Sequence, residues 1–144
     1  MKTFIFFTTL LCIIVAVSAK PKSCWSGGWI VNVVDDIDSK ELIQVHCKSK
    51  DDDIGMKSIG FGQSVDWKFC ENIFSPSTLY FCHVYKGSQE QVFDVFNDKI
   101  KQTCREKDQK KDYWACTWLI RPDGIYIRDR SQGGETDKKM HEWK

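Results

Sequence analysis

The chain has 144 residues, which is the length of one ordinary domain with a single hydrophobic core. Its 21 lysine and arginine residues are balanced by 20 aspartate and glutamate residues, so that the formal net charge is only +1. This balance excludes the broad electrostatic attraction that drives binding to nucleic acids and to anionic membrane surfaces. We therefore expect no nucleic-acid partner and no membrane insertion, and we expect a monomer.

The first 19 residues have the organisation of a secretory signal peptide. Lys2 provides a basic start, residues 4–17 are almost continuously apolar, and Val17-Ser18-Ala19 places small residues where signal peptidase cleaves. The apolar run is shorter than the ~20 residues that a membrane-spanning helix needs. We predict that this segment is removed and that the remaining chain is secreted to the extracellular space.

Seven cysteines are present, and Cys12 lies in the predicted leader. The other six are predicted to form disulfides, because paired cysteines are typical of small secreted domains. These candidates are Cys24, Cys47, Cys70, Cys82, Cys104 and Cys116. None of them is in a C-x-x-C pair and the chain has only three histidines, so the spacing of a zinc site is missing. We expect no metal and no cofactor.

After the leader, apolar residues mostly recur at every second position, which is the pattern of half-buried β-strands. Ile43, Val45 and Cys47, for example, share one face of a predicted strand. The predicted strands cover residues 29–34, 42–48, 65–69, 78–85, 92–96, 114–120 and 125–127. Turn residues separate them, most clearly the Pro-Asp-Gly sequence at 122–124. The sequence therefore predicts an all-β fold, a small antiparallel β-sandwich of seven to eight strands stabilised by disulfides.

We assign this sandwich to residues 20–128 and predict a polar, flexible tail over residues 129–144. The tail is rich in polar residues and contains a glycine pair, a composition typical of disorder. A lysine-rich stretch between Asp98 and Asp112 is compatible with either a helical turn or a solvated loop.

Three adjacent aspartates, Asp51, Asp52 and Asp53, follow one of the predicted strands. Carboxylate oxygens suit calcium, but the alternating acidic positions and the terminal glutamate of an EF-hand loop are missing. Lys50 and other lysines flank the aspartates, and charge clusters of this kind are usually solvated. A charged turn is therefore favoured over a calcium site.

Catalytic alternatives have weak support in the sequence. Cys70 or Cys104 with His83 would form a thiol–imidazole pair, but bridged cysteines in an oxidising compartment provide no thiolate. Asp66 and Asp94 are candidates for the paired carboxylates of glycoside hydrolysis, but nothing in the sequence places them together. Nucleotide-binding and nucleophile-elbow motifs are also missing. We expect that the protein is not an enzyme.

Five collinear motifs resemble the plant self-incompatibility protein homologues, a family whose prototype is the stigmatic S-determinant of poppy. The matching segments are residues 29–33, 45–55, 79–82, 92–96 and 116–124. The central motif is V-H-C-K-S-K-D-D-D-I-G, and the last one combines Cys-x-Trp with an Asp-Gly turn. The chain departs from the family at Ile125 and Tyr126, where members often have a cysteine, and in two additional cysteines, Cys24 and Cys70.

The resemblance implies a secreted β-sandwich with no known catalysis, which in the prototype acts as a ligand for a pollen membrane receptor. We accordingly expect an extracellular signalling protein that binds a plasma-membrane receptor through polar loops. The candidate loops are residues 35–41, 48–56 and 86–91, and the candidate recognition residues are Lys50, Asp51, Asp52 and Asp53. A secreted defence or inhibitor protein and an extracellular hydrolase are the alternative functions.

The additional cysteines affect the expected disulfide pattern. We expect Cys24 to pair with Cys70 and the other four cysteines to pair among themselves, although six cysteines allow fifteen connectivities.

We predict that the secreted product begins near Lys20 and has no free thiol. Intact-mass spectrometry before and after reduction measures both properties. A retained leader, or several cysteines that react with an alkylating agent without reduction, would contradict this prediction.

Overall fold

The structure is a computed structural model, and it describes Cys24 and residues 27–71, 78–108 and 113–144. The predicted signal peptide, residues 1–19, lies outside the described residues. Among the helices in the described ranges, none combines the length and the apolar composition needed to cross a membrane.

The described residues form ten strands and one short helix. In chain order they are β1 (Gly28–Asp35), β2 (Ile43–Lys48), β3 (Asp53–Ile59), β4 (Ser64–Cys70), β5 (Tyr80–Lys86), β6 (Gln89–Phe96), α1 (Ile100–Cys104), β7 (Glu106–Asp108), β8 (Tyr113–Arg121), β9 (Gly124–Asp129) and β10 (Thr136–His141). The large sheet has the order β10-β9-β8-β1-β4, with β7 beside β8, and the small sheet has the order β3-β2-β5-β6. The two sheets share one hydrophobic core, which confirms the predicted β-sandwich.

The alternating pattern of the sequence decides which side chains lie between the sheets. In β2, Ile43, Val45 and Cys47 are buried, whereas Gln44 and Lys48 on the other face are exposed. Successive side chains of a strand point to opposite faces, so a sequence with period two buries one face and leaves the other in water. Each buried aliphatic side chain of this kind contributes about 1.5–3 kcal/mol to the free energy of unfolding.

Trp118 of β8 lies at the centre of the core and is fully buried. Its indole N–H donates a hydrogen bond to the backbone carbonyl of Val95 on β6, at 2.9 Å. Its ring also packs against Phe93 of β6, with ring centroids 5.1 Å apart. Because β8 belongs to the large sheet and β6 to the small one, a single side chain links the two sheets by both a hydrogen bond and an aromatic contact.

Three disulfides use all six predicted cysteines. Cys24–Cys70 connects the segment before β1 to the end of β4, Cys47–Cys82 joins facing positions of β2 and β5, and Cys104–Cys116 connects α1 to β8. This pairing is one of those that the sequence left open. Removing one such bridge from a small secreted domain typically costs about 2–5 kcal/mol of stability.

The structure corrects the predicted strands in two respects. There are more strands than the expected seven to eight, because β3, β7 and β10 were not anticipated. The pair β1–β8 is parallel, although the other pairs are antiparallel. For the lysine-rich stretch, the sequence left a helical turn and a loop open, and the stretch begins with a helix, α1.

The largest correction concerns the predicted flexible tail. Residues 136–141 form β10, which pairs with β9, so the domain does not end at residue 128. The indole N–H of Trp143 donates to the Arg121 carbonyl at 2.9 Å, and the backbones of Lys144 and Glu90 exchange two hydrogen bonds of 3.0 Å. The C-terminal segment therefore connects the large sheet to β6 of the small sheet.

We predict that Trp118→Ala lowers the free energy of unfolding by about 3–5 kcal/mol, because it creates a large cavity and leaves the Val95 carbonyl unpaired. Phe61→Ala is the matched control. Phe61 is 53% exposed, so its removal is expected to change stability by no more than about 0.5 kcal/mol. Denaturant unfolding measures both variants, and similar losses for the two would contradict the central role of Trp118.

Candidate recognition surface

The predicted recognition residues lie at the hairpin between β2 and β3. Residues 49–52 form its loop, which two hydrogen bonds close: the Ser49 N–H donates to the Asp52 carbonyl at 2.7 Å, and the Asp52 N–H donates to the Ser49 hydroxyl at 3.1 Å. The hydroxyl of the buried Tyr80 donates to the Asp52 carboxylate at 3.1 Å. Burial raises the pKa of Tyr80 to about 12, so the hydroxyl stays protonated at neutral pH. Asp52 is therefore part of the bonding that shapes the loop.

Asp53 stabilises the start of β3. Its Oδ1 atom accepts a hydrogen bond from the Gly55 N–H at 2.8 Å and lies 2.7 Å from Nε2 of His46 on β2. These contacts, the Gly55 hydrogen bond first, lower the pKa of Asp53 below its ordinary value of 3.8. The strand register shifts here because Ile54 is an extra residue, and Gly55 has a φ of +84°, which favours glycine. Asp53 therefore secures a bulge in the hairpin.

Lys50 and Asp51 occupy the tip of the same hairpin, and both are exposed. Within the described ranges, neither side chain has a hydrogen bond or an ion pair. The structure thus divides the four predicted recognition residues into two groups. Asp52 and Asp53 are bonded within the hairpin, whereas Lys50 and Asp51 remain available to a partner.

Beside the hairpin, a row of four side chains crosses the outer face of the small sheet. The register aligns Met56 of β3, His46 of β2, His83 of β5 and Val92 of β6, which we call the outer row. Met56 and Val92 are 51% and 52% exposed, so the row presents apolar surface at both ends. The outer row is not visible in the sequence, because each residue is only one outward position in its own strand and the strand pairing is needed to align them.

Each histidine of the outer row has a carboxylate neighbour. His46 faces Asp53, and Nε2 of His83 lies 3.1 Å from a carboxylate oxygen of Glu90. The His83 ring also stacks on Tyr85, with centroids 4.0 Å apart, and its Nδ1 lies 2.9 Å from the Tyr85 hydroxyl. These contacts hold the histidines against the sheet, so the face they form is ordered before any partner binds.

The other two predicted loops lie at the opposite end of the sandwich. β2 begins after residues 35–41 and ends at the hairpin, so the length of this strand separates the two surfaces. Asp35 is fully buried, and its Oδ1 accepts a hydrogen bond from the Ile37 N–H at 2.9 Å. Burial raises the pKa of Asp35. In the third loop, residues 89–91 are already part of β6. The predicted loops therefore form two surfaces, and Asp35 belongs to the scaffold.

The catalytic candidates are not brought together. Cys70 and Cys104 are both in disulfides, so neither provides a thiolate for His83. Asp66 lies on an outward position of β4 and Asp94 on an outward position of β6, which places the two carboxylates on the outer faces of different sheets. In the part of the chain that the structure describes, no three His, Cys, Asp or Glu side chains are grouped as metal ligands.

We predict that Asp53→Ala lowers the melting temperature at neutral pH, because it removes the acceptor of the Gly55 N–H and the partner of His46. Asp51→Ala removes a charge from the hairpin tip and is expected to leave the melting temperature nearly unchanged. Because folding lowers the pKa of Asp53, its contribution is present above 3.8 and is lost as the pH falls through the folded-state pKa.

Thermal melts of these two variants and the wild type, at neutral pH and in acid, measure this effect. The gap between wild type and Asp53→Ala should narrow in acid. Equal melting temperatures at neutral pH, or a gap that persists in acid, would show that Asp53 has no such role.

Comparison with known proteins agrees with the fold and the motifs. Residues 30–143 match the profile of the family described as plant self-incompatibility protein S1. S-protein homolog 1 of Arabidopsis thaliana is 31% identical over 107 residues, which cover 73% of this chain and 66% of the relative. S-protein homolog 24 and S-protein homolog 6 of the same plant are 34% and 39% identical over 103 residues each, covering 69% of this chain and 61% and 67% of the relatives.

The match thus spans slightly less than two thirds of the length of the first two of these relatives. A solved structure shares the fold with a TM-score of 0.58 at 13% sequence identity, and the alignment covers 83% of this chain and 97% of that chain. It is described as the structure of self-incompatibility protein homologue proteins, "a widespread family of small, highly stable, secreted proteins from plants". The chain therefore belongs to the plant self-incompatibility protein S1 family.

Proposed function

We propose that the protein is an extracellular ligand that binds a receptor protein in the plasma membrane of a plant cell, as a monomer and without catalysis. Its membership in a family of secreted plant proteins supports an extracellular role. The observation on which the proposal depends is the hairpin between β2 and β3. Its tip residues Lys50 and Asp51 are exposed and unbonded within the described residues, while Asp52 and Asp53 fix the loop that presents them.

A disulfide and several hydrogen bonds constrain the hairpin in the absence of a partner. Cys47–Cys82 crosslinks β2 to β5 immediately behind the loop. Tyr80 bonds to Asp52 in the loop, and His46 bonds to Asp53 at the start of β3. A loop that is already ordered loses little conformational entropy when it binds a partner. The charges of Lys50 and Asp51, which are unpaired within the described residues and carried on an ordered loop, are therefore suited to recognition of a partner.

The chemistry of the surface also fits a protein partner. Opposite charges at the tip favour a partner with complementary charges, which increases the association rate and the specificity. The outer row adds the exposed apolar side chains of Met56 and Val92 beside the tip. A mixed surface with apolar contacts and a charged rim is typical of protein–protein interfaces.

The experiment measures binding of the labelled secreted protein to intact plant protoplasts. We expect saturable binding that unlabelled protein displaces. The double variant Lys50→Gln and Asp51→Asn should lower the affinity several-fold, mainly through the association rate, with an unchanged melting temperature. Lys138→Gln, on the exposed face of β10, is the control for loss of a charge elsewhere and should bind normally.

Binding that does not saturate, or that the tip variant leaves unchanged, would contradict the proposal. The alternative functions have different readouts in parallel assays. Growth inhibition of microbes would support a defence protein, and hydrolysis of cell-wall glycans would support an extracellular hydrolase.

A further inference from the structure

A cavity of about 570 Å³ is lined by residues of α1 and of the beginning of β1 and β8. Its described lining consists of Trp29, Glu71, Lys101, Gln102, Arg105 and Trp114. The volume lies within the range of about 300–1,000 Å³ that is usual for small-molecule sites. The cavity is at the helix-bearing end of the sandwich and involves neither the hairpin tip nor the outer row.

Two tryptophans form the apolar wall of the cavity. Trp29 and Trp114 are partners in the parallel register of β1 and β8, and their ring centroids are 6.2 Å apart. Trp29 is buried, whereas Trp114 is only partly buried and faces the cavity with part of its ring. Because Trp29 is buried and the Arg105 guanidinium lies over the Trp114 ring, the apolar surface that this wall offers to a ligand is the remaining exposed part of Trp114.

Arg105 is the group that selects the charge of the ligand. Its guanidinium lies over the Trp114 ring at 4.7 Å, and the adjacent Cys104–Cys116 disulfide holds this part of the chain against β8. Stacking uses the flat face of the guanidinium and leaves its N–H edge free for a carboxylate. In the described part of the chain, no carboxylate occupies that edge. A permanently charged, exposed and oriented donor therefore borders the cavity.

The second cation of the cavity is already neutralised. The Lys101 ammonium lies 2.9 Å from Glu71 and 3.2 Å from Asp98, and these two carboxylates raise the pKa of Lys101. Lys101 is therefore a fixed part of the wall, and Arg105 is the cation of the cavity that has no carboxylate bonded to it within the described residues. The Gln102 amide nitrogen donates to the Asp98 carbonyl at 3.4 Å, and its carbonyl oxygen can accept from a polar substituent of the ligand.

We propose that this cavity binds a small ring carboxylate, such as a uronic acid residue or an aromatic acid. The carboxylate pairs with the N–H edge of Arg105 in a bidentate arrangement, and the ring contacts the part of Trp114 that the guanidinium leaves exposed. This site goes beyond the proposed receptor-binding function and does not depend on it, since it uses a different part of the surface.

The test uses the full secreted protein and two matched pairs of probes. Galacturonate is compared with galactose, and benzoate with benzyl alcohol, by calorimetry and by NMR of the tryptophan indole N–H groups. We expect one carboxylate of the two to bind saturably with one site per chain, to shift the Trp114 signal, and to bind at least about tenfold more tightly than its neutral counterpart. The pair that responds distinguishes a sugar acid from an aromatic acid.

Variants locate the site. Arg105→Gln should weaken binding of the carboxylate about tenfold or more. Arg105→Lys should weaken it by a smaller factor, because lysine keeps the positive charge but lacks the paired N–H donors of the guanidinium. Lys138→Gln removes a charge on β10 and should bind as the wild type does. Arg105 is exposed, so thermal melts should show that all three variants fold. Equal binding of the neutral probes, unchanged binding by Arg105→Gln, or no saturable binding of either carboxylate would each overturn the proposal.

Discussion

The packing of the two sheets depends on one hydrogen bond, which the buried indole N–H of Trp118 donates. Trp118 has no access to water, and an unpaired N–H in that environment would cost about 1–3 kcal/mol. The acceptor is the Val95 carbonyl on the other sheet, so satisfying the indole sets the position of β6 relative to β8. The hairpin belongs to the small sheet, and the cavity is lined partly by the large sheet. The position of the hairpin relative to the cavity therefore depends on the contacts of Trp118 with β6.

The two sides of the sandwich, where the edges of the sheets face each other, differ in whether a chain segment covers them. On one side, the C-terminal segment closes the gap between the sheets: the Gln91 amide donates to the Glu142 carbonyl at 2.7 Å, and Lys86 lies over the Trp143 ring at 4.8 Å. On the other side, β3 and β4 are the edges of their sheets, and a groove of about 460 Å³ lies between them. The C-terminal segment thus acts as a structural element of the fold, although its sequence is mostly polar.

The contrast between β2 and β10 shows how much of the fold was predictable from the sequence. Strict alternation of Ile43, Val45 and Cys47 identified β2 within one residue, because apolar residues at every second position indicate a half-buried β-strand. β10 is polar and exposed along almost its whole length, so no periodicity marks it. It is a strand because it pairs with β9 and because Arg121 and Arg128 bond to Asp137, contacts that only the folded chain brings together.

The same distinction applies to the sites. The three aspartates were identifiable as a turn from their composition, but the different roles of Asp51 and Asp53 depend on a bulge that shifts the register at Gly55. The cavity was not predictable, because Arg105 and Trp114 belong to segments that a disulfide and the strand order bring together.

The parallel pairing of β1 with β8 has a consequence for the nascent chain. Asn32 and Thr117 are hydrogen-bonded neighbours in this pair, yet they are 85 residues apart in sequence. The whole small sheet and β4 lie between them, and contacts of such long range form slowly because a large loop must first be closed. β1 can pair with β4 soon after synthesis, but the centre of the large sheet stays incomplete until β8 has left the ribosome. The large sheet can therefore be completed only after β8 has been synthesised, although β1, β4 and all strands of the small sheet precede it in the chain.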